Sequence, residues 1–276
     1  MRERVVQFPE DGRLSGVISE GPASVGALFL NAGVVRRVGV HRLNVKLARA
    51  LGDLGFPSLR FDLSGQGDSV RPARPLGPAD QAIDDLREAA DALCEAAALE
   101  GTIGVGMCSG ADNAVRAALR NPRFKGLVLL DPYAYPTRRA AAADVFARVS
   151  DPARWARKSR ALLGGQVEAP PNDSAQPVYD QGRPVPPREV FGADLRALAD
   201  RGVKILIVYT GFVKRLVSHP DHFYSAFKDF DLAAAVDVEV FADTDHTFTQ
   251  LIAQENLIAL IAGWVNENFG APGERV

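Results

Sequence analysis

The sequence predicts an α/β fold built on a mostly parallel sheet, and three observations carry that prediction. Short runs of apolar and β-branched residues alternate with longer stretches in which apolar residues recur at helical spacing, the pattern of successive βαβ units. Gly, Pro and Asn turn signals separate the runs. One run, 102–107, passes without a linker into a helical pattern at Gly106-Met107-Cys108-Ser109-Gly110, which demands a sharp strand-to-helix turn. At 276 residues and 47% hydrophobic content, the chain can bury one substantial core.

Taken in order, strand-like runs over 4–8, 14–18 and 25–30 predict a leading antiparallel portion. A helix follows over 43–54, a strand over 57–61 and an Ala-rich helix over 79–98. The strand at 102–107 leads into a helix marked by Ala111, Ala114, Val115, Ala118 and Leu119, which Asn121-Pro122 stops. The next strand spans 126–130. After the middle of the chain come a helix over 193–200, a strand over 204–209, a helix over 221–230, a strand over 237–241 and a closing amphipathic helix over 250–268. Eight strands result, and no internal repeat is visible.

The segment 135–189 breaks this rhythm. Its first half is rich in Ala and Arg and reads as helical; its second half carries Pro170, Pro171, Pro177, Pro184, Pro186 and Pro187, which oppose helix and central strand alike. Residues 1–134 and 190–276 are therefore read as one core, with 135–189 inserted into it.

A formal net charge of −2 gives no bias toward nucleic acid, and no apolar stretch is long enough to cross a bilayer. Cys94 and Cys108 are the two cysteines, so no disulfide framework is expected. The chain begins Met-Arg-Glu-Arg and runs into a strand pattern without a signal peptide, which predicts a cytoplasmic protein. Metal-ligand spacings, a P-loop and a dinucleotide fingerprint are all missing, so no cofactor is expected.

The junction at 106–110 is where chemistry concentrates. Glycines on both sides of Cys108 suit a strained central residue at a turn too tight for a flanking Cβ. Centring the turn on Ser109 would put Met107 and Ala111 at the glycine positions, a worse steric fit. The competing reading is that Cys108 is a small buried hydrophobe.

This G-x-C-x-G stretch resembles the G-x-S-x-G nucleophile elbow of the α/β-hydrolase superfamily, with sulfur in place of oxygen. Two further stretches extend the resemblance. Asp62-Leu63-Ser64-Gly65-Gln66-Gly67-Asp68-Ser69 is similar to the D-x-x-G-x-G-x-S turn after the fourth strand, where Asp62 would hold the loop. Leu30-Asn31-Ala32-Gly33-Val34 stands where the superfamily's His-Gly motif supplies an oxyanion N–H, with Asn31 replacing the histidine. The resemblance covers nearly the whole chain outside the insertion. It implies an eight-stranded, mostly parallel sheet with helices on both faces and a cap inserted after strand 6.

The resemblance also implies site residues. Of His41, His219, His222 and His246, the last follows the final strand directly before the closing helix, where the superfamily keeps its catalytic base. His41 is expected to begin a helix, and His219 and His222 to lie at the surface or facing the cap. The orienting acid usually follows the seventh strand, but residues 209–215 contain none. Asp131, ending the sixth strand before Pro132, is the choice because some members place the acid there; its alternative is a turn carboxylate. Asp245 and Asp112 fit less well. The oxyanion would be held by Gly33 or Val34 together with the Ser109 backbone N–H.

The attacking species is a thiolate, favoured by a helix N-terminus and by His246. Attack on a carbonyl gives a tetrahedral oxyanion and then an acyl-thioenzyme, which water resolves to hydrolysis of an ester, thioester or lactone. An alcohol, amine or thiol resolves it to acyl transfer. Cysteine at this elbow resembles dienelactone hydrolases and polyhydroxyalkanoate synthases, which take these two routes; the short chain makes hydrolysis the simpler expectation. A non-catalytic binding or scaffold protein and a redox-responsive thiol are the readings from other classes. The basic pairs Arg36-Arg37, Arg138-Arg139 and Lys214-Arg215 follow predicted parallel strands, on the side of the sheet where ligands bind. They suggest an anionic small-molecule acyl substrate, such as one carried on coenzyme A or a carrier protein; the alternative is ordinary surface charge.

Overall fold

The computed structural model describes residues 2–137 and 184–271, and its central strands follow from side chains that are apolar on both faces. Val25–Leu30 (β3) and Gly101–Met107 (β5) are buried almost throughout, as is Phe124–Leu130 (β6) except at Lys125. The remaining strands are Glu3–Phe8 (β1), Leu14–Ser19 (β2), Ser58–Phe61 (β4), Lys204–Thr210 (β7) and Val236–Phe241 (β8). They form one eight-stranded sheet in the order β1-β2-β4-β3-β5-β6-β7-β8. Pairing is antiparallel for β1 with β2 and for β2 with β4, and parallel for every later pair.

This corrects the expected antiparallel portion: β3 does not continue the hairpin but lies between β4 and β5, parallel to both. The reason is its burial. A strand apolar on both faces gains most in the middle of a sheet covered on both sides.

Helices cover both faces. Leu43–Asp53 (α1) and Leu251–Phe269 (α6) pack on one, around Phe29, Leu47, Val105, Leu257 and Ile261. Pro78–Ala97 (α2), Ser109–Arg120 (α3), Arg188–Asp200 (α4) and Pro220–Ala226 (α5) share the other, around Leu28, Leu86, Ala114, Leu129 and Leu195. No helix among the described residues is long and apolar enough to cross a membrane.

Two helix boundaries differ from the sequence expectation. The helix expected over 193–200 begins at Arg188, because Pro187 occupies its N-cap, where a missing N–H breaks no intrahelical bond. The helix expected over 221–230 stops at Ala226, and Lys228–Phe230 forms a separate 3-10 turn ended by Asp231 in the left-handed region. Of the insertion expected over 135–189, residues 138–183 lie outside the described residues, and with them Arg138 and Arg139. Its described ends meet: the Tyr135 hydroxyl donates to the Pro186 carbonyl at 2.9 Å, and Tyr133 and Tyr135 pack on Phe191.

Candidate active site

The parallel register brings the carboxyl ends of β3, β5, β6, β7 and β8 to one edge. Leu30 pairs with Gly106, Met107 with Leu130, Leu130 with Val208 and Thr210 with Phe241. The residues that follow these strands therefore gather at that edge, Cys108 and Asp131 among them.

Cys108 is the N-cap of α3, at φ 52° and ψ −122°. Its N–H still donates to the Leu130 carbonyl at 2.8 Å, while its own carbonyl already accepts from Ala111 and Asp112 in the helix. The change from strand to helix thus occurs within one residue, at a cost of about 1–3 kcal/mol for a side chain held in this region. The neighbouring glycines are required by close approach: a Cβ on Gly106 would stand 2.5 Å from the Gly110 carbonyl oxygen, and one on Gly110 would stand 2.6 Å from that of Leu30. Cys108 itself is half-buried.

Asp131 repeats the device one strand over. Its N–H continues the ladder to the Val208 carbonyl at 2.8 Å, and then φ turns to 45°. The carboxylate is 2% exposed and fully served: the Thr210 N–H donates to Oδ1 at 2.7 Å, and the Thr210 hydroxyl to Oδ2 at 2.7 Å. His246 Nδ1 lies 2.6 Å from the same Oδ2. Nε2 is then the ring nitrogen left for the hydrogen bond between His246 and Cys108. Burial opposes the charged imidazole, but hydrogen bonds and charge from Asp131 and Cys108 outweigh it and raise the His246 pKa to about 9.

The loop that carries His246 is shaped by Asp245. Its carboxylate accepts from the N–H and hydroxyl of Thr247, at 2.9 and 2.6 Å, and from those of Thr249, both at 3.0 Å. Burial works against its ionisation, yet the bonds from Thr247 and Thr249 prevail and lower its pKa to about 2. Asp245 is therefore a turn residue, and its neighbour faces Asp131. The ring of Phe212 covers the imidazole, with centroids 4.5 Å apart.

Thr210 and Phe212 belong to the candidate site and were passed over by the sequence reading. The end of β7 and the stretch after it contain no acid, but Thr210 supplies two donors to the Asp131 carboxylate at the neighbouring strand end and Phe212 covers the His246 ring. A hydroxyl residue at the end of β7 was the available signal.

The other expected residues are placed as follows. Asn31 is buried and links strand ends, donating from Nδ2 to the Phe61 carbonyl at 2.7 Å. The Gly33 N–H donates to Ser109 Oγ at 2.8 Å, and the exposed Val34 makes no backbone hydrogen bond through its N–H among the described residues. Arg36 is exposed. Arg37 departs from the substrate-facing expectation: its guanidinium bonds Asp62 and reaches Asp68 at 2.5 Å, so the turn consumes its charge. His41 sits in the 3-10 turn before α1, and His219 caps α5. His222, expected at the surface or facing the cap, is buried in α5 and accepts from the Ser218 N–H. Among the described residues no group of three or more His, Cys, Asp or Glu side chains is placed to hold a metal ion.

A family model for the alpha/beta hydrolase fold matches residues 37–192. Among curated proteins none matches this sequence. Solved structures similar to the chain include the esterase Pf2001 of Pyrococcus furiosus, 15% identical with a TM-score of 0.60, covering 98% of this chain and 91% of that one. A dienelactone hydrolase from Anabaena variabilis is 14% identical with a TM-score of 0.60, over 96% of this chain and 97% of that one. An α/β serine hydrolase without a lid, XC6422 of Xanthomonas campestris, is 16% identical with a TM-score of 0.57, over 98% and 96%. At these identities the likeness is one of fold.

Proposed function

Because the chain belongs to the alpha/beta hydrolase fold family, we propose that it cleaves an ester, thioester or lactone through an acyl-thioenzyme on Cys108. One observation carries the proposal: Cys108, held at the strained turn, shares a hydrogen bond with a histidine whose other nitrogen is 2.6 Å from a buried aspartate. The names of the esterase and dienelactone hydrolase neighbours point the same way.

In this reading Cys108 Sγ attacks the carbonyl carbon as a thiolate, and the π pair moves to oxygen. The Ser109 N–H, the first of α3 and so without an intrahelical acceptor, holds that oxyanion with the turn at Gly33 and Val34. As the oxyanion collapses, the bond to the leaving group breaks and His246 Nε2 gives that group its proton. The now neutral ring takes a proton from water, which attacks the thioester, frees the acid and restores the thiolate. Asp131 keeps Nδ1 protonated and favours the imidazolium. Arg36, exposed beside the Arg37 that Asp62 and Asp68 hold, and Lys214, exposed after β7, are members of the basic set among the described residues that can meet an anionic carrier.

The test is intact-mass detection of acyl adducts after mixing the protein with activated esters, lactones and acyl thioesters. An adduct on Cys108, absent in Cys108→Ala and slow to form in His246→Ala, is expected. No adduct on Cys108, or one that forms at the parent rate in His246→Ala, would sink the reading. Decay of the adduct in water alone marks hydrolysis, whereas decay that requires an added alcohol, amine or thiol marks acyl transfer.

A further inference from the structure

The residue after the nucleophile carries a side chain that the proposed reaction leaves unused. Ser109 Oγ accepts the Gly33 N–H at 2.8 Å, and the Gly33 carbonyl accepts from Gln66 Nε2 at 2.9 Å. The turn is thus fixed from both sides, and of the two N–H groups it could offer an oxyanion, that of Gly33 is already bonded, which leaves that of Val34. A hydroxyl that accepts one hydrogen bond still has its own proton to donate, and acceptance from an N–H strengthens that donation.

We infer that the Ser109 hydroxyl is itself an oxyanion donor, aligned by Gly33 and acting beside the Ser109 backbone N–H. The inference rests on Cys108 being the nucleophile. When Sγ bonds the carbonyl carbon and the π pair moves to oxygen, the Ser109 O–H donates to that oxygen without giving up its proton. When C=O re-forms, the bond to the leaving group breaks and the proton comes from His246. The opposite role would be a plug, with Oγ filling the oxyanion position until it rotates away. Donation through the hydroxyl breaks no bond as charge develops, the condition under which such donors are most effective.

The two roles predict opposite signs for one substitution. Acylation of Cys108 in the full chain is followed by stopped flow with p-nitrophenyl acetate, and alkylation of the same sulfur with iodoacetamide, a displacement that passes through no oxyanion. Ser109→Ala is expected to slow acylation by about 10²-fold, the worth of one oxyanion donor, and to leave alkylation unchanged. Ser109→Thr keeps a hydroxyl and is expected to retain most of the acylation rate. Faster or unchanged acylation in Ser109→Ala would make the hydroxyl a plug or a bystander, and equal slowing of both reactions would make it a support of the turn; each overturns the inference alone. A parent protein that is alkylated at Cys108 but never acylated would overturn the proposed function and this inference with it.

Discussion

Two aspartates close parallel strands at the same edge of the sheet, Asp62 after β4 and Asp131 after β6, at 0% and 2% exposure. Each takes three donors, most of them from positions distant in sequence. Asp62 accepts the Arg37 N–H at 2.6 Å, the Arg37 guanidinium and the Asp68 N–H at 3.3 Å. Asp131 accepts the N–H and hydroxyl of Thr210 and bonds His246 Nδ1. Burial and the number of bonds do not separate them; the partner does. A guanidinium keeps its protons across the accessible pH range, so Asp62 builds a fixed clamp. An imidazole gains and loses one near neutrality and has a second nitrogen to pass it on, so Asp131 is coupled to Cys108.

The comparison is sharpened by treating both alike. In Asp131→Asn the acylation rate of Cys108 is expected to fall on the order of 10³-fold, because the ring loses the charge that orients it. Single-turnover kinetics on the folded variant measures this. Asp62→Asn is expected to act on stability, by about 2 kcal/mol in urea unfolding, since it leaves the half-buried Arg37 guanidinium with Asp68 as its one charged partner. Its acylation rate per folded molecule should stay near that of the parent. If Asp62→Asn instead slowed acylation as much as Asp131→Asn, the distinction between clamp and orienter would collapse.

The pH dependence separates the two pairs again. The His246 pKa is raised from 6.5 to about 9, so the stability its charge contributes is complete below pH 6.5 and is lost as pH rises through 9. Thermal unfolding across this interval should show the alkaline loss in the parent and a smaller one in Asp131→Asn; identical profiles would argue against the pairing. The smallest effect is expected for Thr210→Val, which removes one of the three donors to Asp131. Acylation should slow about 10-fold, the worth of one hydrogen bond to a charged acceptor, and the urea midpoint should move less than in Asp62→Asn.

These residues were not equally readable in the chain. The turn at Cys108 was legible because its constraint is local: two glycines, a strand and a helix within a few positions, later matched by close approaches to Gly110 and Leu30. Asp131 and His246 were paired through the superfamily resemblance, which picks out these strand ends, and the parallel strands bring the ends together. Thr210, Arg37 and the Ser109 side chain were misread or missed for the opposite reason. Each acts through a partner that is remote in sequence, and a threonine, an arginine or a serine is common enough on a surface to suggest nothing alone. The placement of β3 between β4 and β5 was likewise hidden, because an apolar run shows burial without naming its neighbours.

The Phe212 ring, 4.5 Å from the His246 ring and tilted by 33°, has a spectroscopic consequence. The circulating electrons of a phenyl ring shift the resonances of protons held over its face. The imidazole C–H signals of His246 should therefore stand apart from those of His41, His219 and His222 in a proton spectrum. The protein carries its own reporter beside His246, so the titration of that ring can be followed by magnetic resonance without a label and without turnover.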